Sequence, residues 1–156
     1  MPSPSTHPTK VLKPGDRFLE DLPLDALDMS VLTTARFFFL SFSEPQSAGW
    51  LTAILSAETM FQRPDAALLT RQVLIVLQEM RQSRRSTFRF SNPRCTCCAD
   101  IVTHDERHLI DTIRASRALD RSRAFSSAML LCEGQEVGRV LTAAEALATS
   151  LRAAPS

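Results

Sequence analysis

The chain is 156 residues long, 44% hydrophobic and 22% charged, with 18 Lys+Arg against 17 Asp+Glu and a net charge of +1. Such values belong to an ordinary globular protein, long enough for one domain with a sizeable core. The near balance excludes generic polyanion binding by the whole molecule, although the split is uneven: six basic and nine acidic residues through Glu79, twelve and eight from Met80 onward.

Residues 1–15 hold four prolines and read as a disordered arm ahead of one helical domain over 16–154. The start lacks the apolar core of a signal peptide, and the longest apolar runs, FFFL at 37–40 and VLIVL at 73–77, are too short to cross a membrane. A cytoplasmic protein with reduced thiols is the expectation.

From there the periodicity is helical. Leu24, Leu27, Val31, Ala35, Phe38 and Phe42 recur at three- and four-residue steps, predicting a first helix between Asp21 and Ser43. Phe37, Phe38, Phe39 and Phe42 cover more than one face of it, which suits core packing first and self-association second. Ser43-Glu-Pro-Gln46 has the pattern of a capping box for a second helix. That helix is expected to bury Leu51, Ile54, Leu55 and Phe61 and to stop at Arg63-Pro64. Asp65 opens a third, with Leu69, Val73, Val76, Leu77 and Met80 in line. Its VLIVL run is apolar all round, predicting a central helix surrounded by the others.

Residues 83–102 break the pattern and read as an irregular loop. Thr103-His-Asp-Glu106 is a second capping box, leading into Leu109, Ile110 and Ile113. Asp120 starts a further helix with Phe125, Ala128, Met129 and Cys132 on one stripe and Gly134 as its stop. Thr142-Ala-Ala-Glu145, a third box, opens a last helix that buries Leu147 and Leu151. The fold class is therefore all-α: a single-domain bundle of about six helices with a central apolar helix and one Cys/Arg-rich loop.

The chemistry concentrates at 95–108. Cys95-x-x-Cys98, then five residues, then His104-x-x-x-His108 is the donor inventory of a tetrahedral structural zinc, with Cys97 and Cys132 as substitute ligands. A helix N-terminus at His104 disfavours imidazolium and leaves a ring nitrogen free to ligate, and histidines four apart on a helix are neighbours. The five-residue gap excludes a ββα finger. An H-E-x-x-H hydrolase is a poor match, since Asp105 would replace the glutamate and the histidines sit at the helix start rather than mid-helix. No G-x-S-x-G, P-loop or G-x-G-x-x-G occurs, so no enzymatic activity is expected. As thiols alone, the three clustered cysteines would serve a metal or redox sensor. The alternative reading is a nucleic-acid surface, with Arg81, Arg84, Arg85, Arg89 and Arg94 for phosphates and Phe88 and Phe90 for stacking.

Taken together, the residues predict a small cytosolic regulatory or adaptor protein that binds another protein and whose loop a zinc ion staples. An Arg-loop nucleic-acid regulator and a thiol-based metal or redox sensor are the alternatives.

Overall fold

The computed structural model describes residues 12–153. Seven α-helices lie among them: α1 (Ala26–Ser43), α2 (Gly49–Leu55), α3 (Ala57–Phe61), α4 (Ala66–Ser83), α5 (His104–Arg117), α6 (Arg121–Leu131) and α7 (Gly138–Arg152). One two-residue antiparallel pair, β1 (Arg17–Phe18) with β2 (Ile101–Val102), ties the start of the domain to the end of the long loop, Arg17 facing Val102. The class is all-α, as the periodicity predicts. Among the described residues no helix is long and apolar enough to cross a membrane.

The core follows the predicted stripes closely in the longest helices. Leu69, Val73, Val76, Leu77 and Met80 of α4 are all buried, and α4 packs against α1, α3 and α7. In turn α7 covers α5 and α6, with Val140, Leu147 and Leu151 facing inward. The thirteen-atom hydrogen-bonded helix leaves its first N–H groups unpaired, and capping side chains answer that need at three starts. Asp25 and Asp28 form a reciprocal box at α1, Thr103 and Glu106 one at α5, and the Asp120 carboxylate accepts from the Arg123 N–H at α6. Arg114 and Arg117, in the last turn of α5, reach the buried Asp28 at the first turn of α1 (3.1 and 2.7 Å). A cationic helix end thus meets an acidic helix start, as the two macrodipoles favour.

Several sequence expectations need correction. The arm predicted over 1–15 falls mostly outside the described residues, and its last part, from Lys13, belongs to a turn closed by the Asp16 N–H to the Lys13 carbonyl. The first helix begins after Asp25 rather than at Asp21. Pro23 disfavours helical geometry just before it, and Leu19–Asp21 makes only a 3-10 turn. Ser43 does not cap a second helix: its hydroxyl donates back to the Leu40 carbonyl, and α2 starts from Ala48 in the left-handed region. That second helix breaks at Ser56 into α2 and α3, and it leaves Leu51, Ile54 and Leu55 exposed while burying Phe61. Likewise α4 is central but not enclosed, since Ile75 lies at the surface. On α6 the buried stripe is Ala124, Ser127, Ala128 and Leu131, which turns Phe125 outward. Thr142 is inside α7, its hydroxyl donating to the Gly138 carbonyl four residues back, so the third box is not a helix start.

Candidate functional site

Residues 84–103 have almost no regular structure, yet carboxylates fix them at every few residues. The centre is a buried ion pair: Arg36 of α1 is 4% exposed and Glu106 of α5 0%. Arg36 Nε donates to Glu106 Oε1 at 2.7 Å and Nη2 to Oε2 at 3.0 Å, while Nη1 and Nη2 also reach the carbonyls of Ala99 and Ile101. Glu106 also accepts from the backbone N–H groups of Ser91 and Thr103. Both ions are therefore satisfied, which is the condition for tolerating the desolvation of a buried pair.

Around that centre, Asp105 accepts from the Arg89 N–H at 2.8 Å and from Arg84 at 3.3 Å, and Glu133 accepts the N–H groups of Arg85 and Ser86. Asp16 chelates the Arg89 guanidinium and receives the His104 N–H. Burial works to raise the Asp16 carboxyl, but Arg89 and the His104 N–H outweigh it and hold the group below its usual value. The Asp16 partner raises Arg89 in return. The order of this segment is thus carried by protein groups, and loop order alone gives no argument for a metal.

The four expected zinc ligands lie in two pairs. Cys95 Sγ and Cys98 Sγ lie 2.7 Å apart within a turn that the Cys98 and Ala99 N–H groups close onto the Cys95 carbonyl. The Cys98 sulfur and its N–H lower the Cys95 pKa. In the second pair, Nε2 of His104 and Nε2 of His108 face each other at 2.9 Å on the first turns of α5. Burial, then the neighbouring His104, lowers the pKa of His108. Of the substitutes, Cys97 is exposed and Cys132 is fully buried at the end of α6, where burial raises its thiol pKa. Among the described residues, no three or more His, Cys, Asp or Glu side chains gather as a metal-binding group.

Most of the basic and aromatic residues of the loop have partners within the molecule, while Arg81, Arg85 and Arg94 remain exposed. Phe88 is buried and stacks on Phe39 of α1 with ring centres 4.2 Å apart, and Phe90 stacks on the same ring at 5.5 Å. Arg84 donates to the Leu131 carbonyl and Arg89 to Asp16, while Arg94 reaches the Ser47 carbonyl and the Thr52 hydroxyl beside α2. Arg81 covers the Phe42 ring at 3.8 Å, a cation–π contact. Arg85 is exposed with its backbone held by Glu133.

A second feature lies on the helix that the periodicity expected to be buried. On α2, Trp50 is 49%, Ile54 54% and Leu55 72% exposed, and Leu51 joins them at the surface. Beside them Phe38, Ile54, Ala57, Ala67, Thr70, Arg71 and Leu74 line a cavity of about 310 Å³ whose walls are nearly all carbon. Leu68 and Ile75 of α4 extend the same kind of exposure. Four large apolar side chains on a seven-residue helix are unusual for a surface that faces only water. The signal was in the sequence, as the same residues that predicted a buried helix. Compared with known proteins, the chain matches no family model, no curated protein and no solved structure.

Proposed function

We propose that this protein works by binding another polypeptide, and that the groove between α2–α3 and α4 receives an amphipathic helix carrying acidic residues on its flank. The carrying observation is the exposed apolar set Trp50, Leu51, Ile54 and Leu55 on α2, of which Ile54 also lines the cavity. An apolar cleft of this size takes side chains at i, i+3 or i+4 of a docked helix. Acidic flanks are favoured because Arg71 lines the cleft, is exposed, and has no ion-pair partner among the described residues. Burying Ile54 and Leu55 stabilises the complex by ~1.5–3 kcal/mol each before the costs of association. The carboxylate-fixed loop supports this face, since Arg94 holds the turn that precedes α2.

Trp50 is the single tryptophan of the chain and sits on the face itself, so its emission reports occupancy. Titration with a synthetic helical peptide, leucines on one face and glutamates flanking them, is expected to shift Trp50 emission to the blue and to saturate. Ile54→Glu should abolish the shift, and lysine flanks should weaken it. Absence of a saturable shift, or persistence in Ile54→Glu, overturns the reading. Concentration-dependent dimerisation lost in Ile54→Glu would replace the foreign helix with a second copy of the chain and likewise overturn it.

A further inference from the structure

We infer that His104 and His108 form a two-imidazole chelate for a divalent first-row transition-metal ion, copper(II) or nickel(II) before zinc. The site stands on the first two turns of α5, away from the α2–α4 groove in sequence and independent of the binding proposed there.

Geometry carries the inference. Residues four apart on a helix overlie one another, and here the two rings meet through the same atom, Nε2 to Nε2 at 2.9 Å. Two nitrogens bound to one ion at ~2.05 Å lie ~2.9 Å apart when they subtend a right angle and ~3.3 Å apart at the tetrahedral angle. The observed separation matches the right angle, which square-planar copper(II) and octahedral nickel(II) use. The order of affinities among divalent ions at nitrogen sites runs the same way.

The surroundings hold this arrangement in place. Neither ring is needed for the helix start, because Thr103 and Glu106 make the cap. Gly15 packs directly on the His104 ring, where any Cβ would collide with it, and the His104 N–H is tied to Asp16. His104 is exposed, so an ion can enter, and His108 is half-buried behind it. The N-terminal end of α5 opposes a dication through its dipole. Asp105 and Asp111 act on His108 with the opposite sign, and Asp16 lies at His104, so three carboxylates offset that field. Arg107, which donates to the Gly15 carbonyl at 2.7 Å, acts on His108 against those carboxylates. Two protein ligands leave further coordination positions for water or for another donor.

The competing account of the same distance is an N–H···N hydrogen bond between neutral rings, with no affinity for metal. Equilibrium dialysis of the full-length chain against nickel(II) separates the two. One nickel per chain is expected, weakened at least about tenfold in His104→Ala and in His108→Ala, since even loss of an outer partner typically costs 10–100-fold. The Cys95→Ser, Cys98→Ser double variant should bind as the wild type does. Cobalt(II) should give the weak visible bands of a six-coordinate ion without sulfur charge transfer. Far-UV dichroism and melting of the metal-free variants confirm that the helix remains. Absence of stoichiometric nickel, or wild-type affinity retained in both histidine variants, overturns the chelate in favour of the hydrogen-bonded pair. Loss of metal in the cysteine double variant, with intense tetrahedral cobalt bands, overturns it in favour of a four-ligand zinc staple.

Discussion

Two stretches of this chain leave the long helices, residues 84–103 and residues 48–65, and each is tied by one arginine that gathers carbonyl groups. In the first, Arg36 takes the carbonyls of Ala99 and Ile101 and pairs with Glu106, which has no solvent access. In the second, Arg63 takes the carbonyls of Ser150, Leu151 and Ala153 at the end of α7 and pairs with Asp65, whose side chain is 28% exposed. The irregular stretch carries the buried anchor, and the helical one carries the wet anchor. Regular secondary structure is therefore a poor guide to rigidity here: a loop whose N–H groups end on a buried carboxylate has nowhere else to send them. Short helices with exposed apolar faces can open at far smaller cost.

The sharpest way to break this contrast is to remove one partner of the buried pair. Glu106→Ala leaves Arg36 charged, buried and unpaired, and orphans the Ser91 and Thr103 N–H groups. A loss of ~3–5 kcal/mol is expected in urea unfolding, a large share of the stability of a domain this size. Arg36→Met combined with Glu106→Leu should recover much of that loss, because replacing both ions removes the uncompensated charge. Hydrogen exchange sharpens the same point. The Ser91 and Thr103 amides should exchange near the global rate despite lying at the edges of irregular structure, and α2 amides faster by local opening.

Some of this was legible in the residues and some was not, for identifiable reasons. The α4 stripe and the Thr103 and Asp120 starts could be read directly, since an apolar face and a capping oxygen each answer a local demand. Ser43 and Thr142 present the same letters but return their hydroxyls to carbonyls of their own helices, and only the neighbouring structure decides between those uses. Periodicity showed which side of α2 is apolar but not whether anything covers it. The Arg36–Glu106 pair had a readable sign that was passed over: Arg36 is the only charge between Met29 and Ser43, inside an otherwise apolar run. For the cysteines and histidines, spacing gave reach but not direction, and the structure shows two pairs facing themselves.

Arg63→Ala tests the wet anchor and should cost less, ~1.5–3 kcal/mol, because the contact to the Ala153 carbonyl is exposed, those to Ser150 and Leu151 are only part-buried, and water can replace the guanidinium. Smaller again is Ile54→Glu, placed on a face that already meets water: a change within ~0.5 kcal/mol in the same unfolding assay. If that substitution instead destabilised strongly, α2 would belong to the core and the apolar face would need another explanation.

The smallest effect concerns Asp65 alone. Its hydrogen bonds to Arg63 hold the carboxyl below the usual aspartate value. A carboxylate with a lowered folded-state pKa adds stability that is complete above its unfolded pKa of ~3.9 and disappears as pH falls through the folded value. The stability difference between wild type and Asp65→Asn should therefore be flat from pH ~5 to 7 and shrink below pH ~4. Because Asp65 is partly exposed, added salt should flatten that difference further. A difference that grew as pH fell, or that ignored salt, would mean Asp65 acts through something other than the Arg63 guanidinium, and the parallel between the two anchors would fail.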